Sequence, residues 1–249
     1  MLLAIGYAAI VQVAGRLIGA DVDEDDGWAT AGNVVESALI PIALSSLFVI
    51  TLATWLRWWP EIIHEPLRVQ RWVRIVPIAL ALTALVGSSW GNVFDQPAGL
   101  VLALVLVVGI GGATEELMFR GVGLVTFRRM GLTEGRVALY SSLAFGAVHL
   151  SNAIGTGTNA IGQAIVVCFT GYLLYLTRRW AGAIWLAMPV HSSQDFLILS
   201  GQIGVDPSAS PLSLLVIVTM IGLAVLVWRR RHRIEPGTAA EAVPKPLAV

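Results

Sequence analysis

Two adjacent carboxylates and an arginine stand at the end of a long apolar stretch of the sequence. Glu115 and Glu116 follow an apolar run that begins at Ala98, and Arg120 comes one helical turn later. Charged side chains are costly at membrane depth, and those that occur there usually mark a functional site. Residues four apart share a helix face, so Glu116 can pair with Arg120 while Glu115 faces elsewhere. Glu115 is therefore a candidate for chemistry.

Two histidines in later apolar runs could act together with Glu115. His149 ends the run that starts at Val137, and His191 lies in another run with Asp195 four residues later. At about 1.5 Å per helical residue, the glutamate and both histidines lie roughly 15 to 18 Å from the cytoplasmic edge. A carboxylate can take a proton from water, and an imidazole can donate or accept one near neutral pH. A second imidazole can hydrogen-bond a developing oxyanion, so the set predicts a hydrolytic site.

The composition places this chemistry in a membrane. Of the 249 residues, 56% are hydrophobic and 13% are charged, and the mean hydropathy is +0.77, which is more apolar than soluble domains are. The formal net charge is zero, and no basic surface typical of nucleic-acid binding appears, so no nucleic-acid partner is predicted. The single cysteine, Cys168, excludes a disulfide framework. We expect the lipid bilayer to surround the protein.

The apolar runs predict an all-α, polytopic membrane protein with about eight transmembrane helices and a buried active-site cavity. A span needs about 20 mainly apolar residues. Basic residues mark cytoplasmic loops, and arginine clusters fall at alternate loops, so both termini are expected in the cytoplasm and the acidic stretch 21–26 outside. The protein is then a multi-pass protein of the cell membrane. The predicted spans are 1–20, 34–56, 75–90, 98–126, 137–150, 160–177, 181–200 and 212–228.

The order of these spans predicts a catalytic core with flanking regions. Residues 1–74 would hold the first two spans and a cytoplasmic loop, 75–200 the catalytic core, and 201–234 the last span. The remainder, 235–249, is rich in proline and alanine, which is typical of a flexible tail. The polar, glycine-bearing loop 151–159 could shape substrate entry.

The three motifs resemble those of the CPBP family of intramembrane proteases, the CAAX prenyl endopeptidase and bacteriocin-processing group also called Abi proteins. The resemblance covers roughly residues 75 to 200 and includes the separations between the motifs. It implies an eight-helix α fold with an active site sunk in the membrane and open toward the cytoplasm. The motifs are Glu115-Glu116-x-x-x-Arg120, Phe145-x-x-x-His149 and His191-x-x-x-Asp195.

The resemblance also implies a role for each motif residue. Glu115 would be the general base acting with His149 on the attacking water, while His191 and Asp195 would bind the scissile carbonyl oxygen. The family's eukaryotic-type members often carry asparagine at the last position. An ionised aspartate cannot donate to an oxyanion, so Asp195 is protonated, or it orients His191, or the site works differently. The supporting residues would be Glu116, Arg120 and Phe145.

One metal alternative and two alternative functions stay open at this stage. Glu115, His149 and His191 could bind zinc, but no His-Glu-x-x-His helix is present, so hydrolysis without metal or other cofactor is favoured. Members of the family are also linked to bacteriocin self-immunity and to scaffolding, so a non-proteolytic membrane partner is the second hypothesis. A proton-coupled carrier is the third, although inverted halves with paired broken helices are not visible. For a peptidase, the substrate would be a membrane-associated peptide or protein. The sequence does not define the identity of this substrate, whether it is prenylated, or the oligomeric state of the protein itself.

Overall fold

Helices dominate the computed structural model of the protein. Within its described residues the one strand-like feature is an isolated bridge between His64 and Ala183, so the predicted all-α class is confirmed. Most of the acidic stretch, residues 153–158 of the polar loop and the tail after Glu235 lie outside the described residues. The described residues are 2–19, 22, 28–152 and 159–235.

Ten helices, counted over these ranges, form the structure. Short 3-10 turns lie at Arg71–Arg74, Leu150–Asn152, Ile184–Leu186, Pro211–Leu214 and Arg231–Arg233. In chain order the helices are α1 (Leu2–Ile18), α2 (Ala31–Leu56), α3 (Trp59–Ile63), α4 (Ile75–Gly87), α5 (Trp90–Asp95), α6 (Ala98–Arg129), α7 (Glu134–His149), α8 (Asn159–Ala181), α9 (Ala187–Leu199) and α10 (Leu215–Arg229).

Four helices in the described part of the chain are long and apolar enough to cross a membrane. They are α2, α6, the Ala160–Ala181 portion of α8, and the segment Pro211–Arg229 that contains α10. Helix α1 is apolar but shorter. Large apolar side chains are exposed on these helices, among them Leu47, Leu102 and Ile221, as expected of a surface that faces lipid rather than water. The protein is therefore an all-α membrane protein.

Polar contacts hold each end of the helix bundle together. At one end, Arg128 donates from both terminal nitrogens to the Glu65 carboxylate at 3.0 Å, and Nε of Arg178 lies 3.1 Å from the same carboxylate. At the other end, the side-chain amide of Asn92 donates to the carbonyls of Ser200 and Ile203 at 2.9 and 3.0 Å. The two ends are thus built from different residue types.

Arginine is concentrated at the end that contains Glu65, which we call the arginine-rich end. All fifteen arginines of the sequence fall in the described ranges. Arg16 lies near the end of α1 at the opposite end, and Arg120 lies inside α6. The other thirteen define the arginine-rich end: Arg57, Arg68, Arg71, Arg74, Arg128, Arg129, Arg136, Arg178, Arg179, Arg229, Arg230, Arg231 and Arg233.

Helix α6 carries the first motif in a widened turn. Its residues Glu116–Gly123 are π-helical, between the α-helical segments Ala98–Glu115 and Leu124–Arg129. The apolar run predicts an ordinary α-helix across this region, so the widened turn is a difference between expectation and structure. Single π-helical turns inside α-helices often occur at functional sites.

A close approach of α6 to α9 sets the position of the motif. A Cβ atom added to Gly112 would lie 2.9 Å from the backbone nitrogen of Ser192 and 2.6 Å from its Oγ. Only glycine fits at this contact without a shift of one helix. One turn later, Glu115 and Glu116 therefore lie directly against α9, which carries His191.

Candidate active site

A cavity of about 330 Å³ enters the bundle and reaches the residues that the motifs single out. Glu115, His149 and Asp195 all line this cavity, although they belong to α6, α7 and α9. Tyr7 of α1 and Ile42 of α2 complete part of its wall. The structure thus brings the predicted carboxylates and one predicted imidazole to a common space.

His191 lies behind the cavity wall and is surrounded by three carboxylates. The residue is 4% exposed. Its Nε2 lies 3.4 Å from Glu115 Oε2 and 3.7 Å from Asp195 Oδ2, and its Nδ1 lies 2.9 Å from Glu116 Oε1. Only the last distance is that of a good hydrogen bond, and an ionised carboxylate can only accept. Glu116, rather than Asp195, therefore fixes the orientation of the ring.

Glu116 and Arg120 form the ion pair that their spacing predicts. Oε1 of Glu116 lies 2.9 Å from Nη1 of Arg120, and both side chains are completely buried. The guanidinium also lies 4.1 Å from the centre of the Phe145 ring, within the range of a cation–π contact. Loss of either charge would leave the other one buried and unpaired, which destabilises a protein strongly.

Phe145 separates the two imidazoles of the site. Its ring centre lies 4.8 Å from that of His149 and 5.5 Å from that of His191, and both pairs are close to perpendicular. Edge-to-face contacts of this kind stabilise a defined ring arrangement. Phe145 is almost fully buried, so it holds both histidines from the side opposite the cavity.

The hydrogen bond of His149 defines which of its nitrogens can accept a proton. Nδ1 lies 2.9 Å from the backbone oxygen of Phe145. A carbonyl oxygen can only accept, so Nδ1 carries the hydrogen and Nε2 of the neutral ring is an acceptor. Within the described ranges no hydrogen bond or ion pair joins His149 to Glu115. The two residues share the cavity wall without such a bond.

Tyr7 is the site residue that the motif analysis missed. Its hydroxyl donates to Oε1 of Glu115 at 3.4 Å, and the residue is 5% exposed. Its ring packs edge-on against Phe119, with ring centres 5.9 Å apart. Tyr7 and Glu115 are 108 positions apart, and the only signal in the sequence was a single tyrosine in the first apolar run.

The contacts of the two histidines bear on the zinc alternative. Over the described residues, no group of three or more His, Cys, Asp or Glu side chains could hold a metal ion. Of the ligands considered, His191 binds Glu116 through Nδ1 and faces Glu115 with Nε2, and His149 is bound to a backbone carbonyl through Nδ1. Contacts of this kind at Nδ1 also occur when Nε2 binds a metal. Hydrolysis without a metal therefore stays a prediction.

Comparison with known proteins gives one match. A family model described as type II CAAX prenyl endopeptidase Rce1-like matches residues 97–197. This segment contains all three motifs and extends from the start of α6 into α9. No curated protein and no solved structure matches the chain. The family match and the motifs agree: residues 97–197 are similar to the CAAX prenyl endopeptidase family, and all three motifs lie within them.

Proposed function

We propose that the protein is an intramembrane endopeptidase that hydrolyses a peptide bond of a membrane-associated peptide or protein without a metal ion. One observation carries the proposal: Glu115 and His149 line the same cavity, while His191 lies 3.4 Å from Glu115 behind it. A carboxylate that can act as a general base thus lines the cavity, with a buried imidazole beside it. The family match supports proteolysis as the reaction.

Glu115 and His149 activate the attacking water in this mechanism. The Glu115 side chain is 21% exposed and can accept a proton from a water in the cavity. The Nε2 atom of His149 is the acceptor that orients this water, since Nδ1 is bound to Phe145. As the water oxygen forms a bond to the carbonyl carbon, its proton moves to Glu115. A positioned general base contributes about 10²- to 10⁴-fold to a rate.

His191 and Asp195 stabilise the oxyanion that forms in this step. His191 donates from Nε2 to the carbonyl oxygen in its doubly protonated form, because Nδ1 already donates to Glu116, which holds the ring. Asp195 is 32% exposed and, in its protonated form, is a second donor. The intermediate collapses when the C–N bond breaks and the proton on Glu115 passes to the leaving nitrogen. The products are a carboxylic acid and an amine, so one water is consumed per bond.

The same proposal places eight of the ten described helices, all except α3 and α5, across the cell membrane with both termini in the cytoplasm. Four of them have the length and composition of a span. The remaining four, α1, α4, α7 and α9, alternate with these along the chain. Thirteen arginines at one end of the bundle support this arrangement, because basic residues are retained in the cytoplasm. The lipid bilayer would then surround the site on all sides.

Cleavage of a membrane-presented peptide library by the purified protein tests this function. Glu115→Ala and His149→Ala should each reduce cleavage by about 100-fold or more, and a zinc chelator should change nothing. The matched controls are Glu36→Ala and His232→Ala, both exposed and outside the cavity, which should cleave as the wild type does.

Two other outcomes would redirect the interpretation. Inhibition by the chelator that added zinc reverses would favour the metal-dependent mechanism. In the other outcome the purified wild type cleaves no peptide, while Glu115→Ala keeps its biological effect in cells. That pair of results would favour the non-proteolytic membrane partner.

A further inference from the structure

An apolar groove outside the active site runs along three helices of the bundle. It has a volume of about 670 Å³ and is lined by residues of α7, α8 and α10, among them Leu143, Phe169 and Met220. None of the residues that line this groove also lines the active-site cavity. The groove is therefore a separate feature, and the proposed reaction makes no use of it.

The walls of the groove belong to the lipid-facing surface of the protein. Phe169 of α8 is 56% exposed, and Trp228 of α10 is 68% exposed. Ser142, a polar residue of the lining, is satisfied within its own helix, because its hydroxyl donates to the carbonyl of Ala138 at 2.8 Å. Lipid tails are as apolar as such walls, so the groove suits a hydrocarbon chain.

The groove has the depth of about one leaflet of a bilayer. On α8 its lining runs from Ile165 to Leu173, and on α10 from Met220 to Trp228, and each stretch covers about 12 Å at the helical rise. The hydrocarbon core is about 30 Å thick, so one leaflet is about 15 Å. A transmembrane helix of a second copy or of another protein would need a groove along the whole core. The depth therefore favours a lipid chain as the occupant.

Arginine side chains lie where the groove meets the arginine-rich end. Among the described residues of the lining, Arg231 is the one that carries a charge. Its guanidinium lies 4.4 Å from the centre of the Trp228 ring, and its Nη1 donates to the backbone oxygen of Trp228 at 3.0 Å. Arg136 lies one turn before Leu139, on the same face of α7. The groove thus combines an apolar length with a basic end.

Neither Arg136 nor Arg231 has a carboxylate partner in the part of the chain that the structure describes. The arginines that form ion pairs there are Arg120, Arg128, Arg129, Arg178 and Arg179. A guanidinium matches the geometry of a phosphate, to which it can donate two parallel hydrogen bonds. Basic pockets between membrane helices on the cytoplasmic side bind anionic lipid headgroups. In the orientation proposed above, this end of the bundle is cytoplasmic.

We infer that the groove between α7, α8 and α10 binds an acyl chain of an anionic phospholipid, whose phosphate is held by Arg231 and Arg136. The apolar lining and the depth of one leaflet select a lipid chain. The two arginines select an anionic headgroup, because the choline of a zwitterionic headgroup would bring a further positive charge to them. This inference adds a binding site to the protein and does not depend on cleavage.

A comparison of two lipids tests the headgroup selectivity. The whole chain, purified in a neutral detergent, is titrated with phosphatidylglycerol or phosphatidylcholine of identical acyl chains, and bound lipid is counted by native mass spectrometry. Each arginine near an anionic lipid contributes about fivefold in affinity. We expect the wild type to prefer phosphatidylglycerol, Arg231→Gln to lose about fivefold of this preference, and Arg136→Gln/Arg231→Gln to lose the remainder.

The matched control for Arg231→Gln is Arg230→Gln. It removes the same charge from the neighbouring position, but Arg230 lies over Trp72, 5.4 Å from the ring centre, and does not line the groove. This variant should bind phosphatidylglycerol as the wild type does. Equal binding of the two lipids by the wild type, or equal losses in Arg230→Gln and Arg231→Gln, would overturn the inference.

Filling the groove tests the binding of the acyl chain. Ala224 lines the groove, whereas Val225, the next residue of α10, is exposed outside it. At equal folded fraction, Ala224→Phe should lose most of the bound phosphatidylglycerol and Val225→Phe should retain it. Glycerol phosphate, which has the phosphate but no chain, should not compete.

Three results of these measurements would contradict the acyl-chain site. The first is binding of phosphatidylglycerol to Ala224→Phe as tight as to the wild type. The second is competition by glycerol phosphate at concentrations equal to those of the lipid. The third is a wild-type dimer that Ala224→Phe, but not Val225→Phe, dissociates, which would assign the groove to a second copy of the chain.

Discussion

Glu116 Oε1 lies 2.9 Å from Nδ1 of His191, and this is the shortest of the three carboxylate contacts to the ring. The same oxygen lies 2.9 Å from Nη1 of Arg120. One buried carboxylate therefore has two tasks: it compensates a buried guanidinium and it orients the imidazole behind the cavity. Glu116 is a positioning residue, since it does not line the cavity itself.

These two tasks can be separated by removing the buried charges in pairs. Glu116→Leu alone should lower the free energy of unfolding by about 3–5 kcal/mol, because Arg120 is left unpaired. Glu116→Leu/Arg120→Met and Glu116→Gln/Arg120→Met both remove the charges and should recover most of this loss. Only the glutamine variant keeps an acceptor for His191 Nδ1, so only it should retain measurable cleavage.

Chemical unfolding in detergent and cleavage of one library peptide are the two measurements for these variants. Equal cleavage by the two double variants would show that His191 does not need the Glu116 acceptor. Equal stability of Glu116→Leu and the wild type would contradict the buried ion pair.

Tyr7→Phe tests the contact between α1 and the proposed base. The ring stays, so its packing on Phe119 is kept, but the hydroxyl that donates to Glu115 is lost. At 3.4 Å this is a long hydrogen bond, and a net contribution of about 0.5–1.5 kcal/mol is typical, so we expect cleavage to fall by about two- to tenfold with little change in thermal stability. Tyr172→Phe, remote from the cavity, is the control. Matching rates for the two variants would exclude a role for the Tyr7 hydroxyl.

Gly112→Ala tests the close approach of α6 to α9. The new Cβ would lie 2.9 Å from Ser192 N, and overpacking of this kind costs about 1–3 kcal/mol. We expect a lower unfolding temperature and weaker cleavage, since Glu115 and His191 are displaced relative to each other. Gly109→Ala is the matched control on the same helix, because its Cβ would meet nothing within 4 Å. The proposed contact is wrong if the two alanine variants unfold at the same temperature.

Asp195→Asn tests the role of the residue that departs from the family's pattern. An asparagine amide can donate to the oxyanion at any pH, so this variant should cleave at least as fast as the wild type. Asp195→Ala removes the donor and should lose about 100-fold in rate. Initial rates on one library peptide distinguish the two. An inactive Asp195→Asn would instead indicate that the carboxyl group itself takes part in proton transfer.

The sequence predicted the longer helices but not the short helices α3 and α5, because long apolar runs and arginine clusters mark helices of membrane proteins independently of their tertiary contacts. The run from Ala98 predicted a helix to about residue 126, and α6 continues to Arg129. Spacing alone also predicted the pair of Glu116 and Arg120. The number of spans and the domain limits remain predictions.

Contacts between distant parts of the chain could not be predicted in this way. Nothing in the spacing links Tyr7 to Glu115, or places Ile62 beneath Gly121. The wider turn at Glu116–Gly123 also depends on packing around it, since its residues have no special pattern.

The most direct test of the mechanism is the cleavage rate of Glu115→Gln on a single library peptide, measured at matched folded fraction against the wild type. The side chain keeps its size and its contact with Tyr7 but can no longer accept a proton from water. We predict a loss of about 100-fold or more, with unfolding unchanged. A variant that cleaves within a few-fold of the wild type would show that Glu115 is not the base.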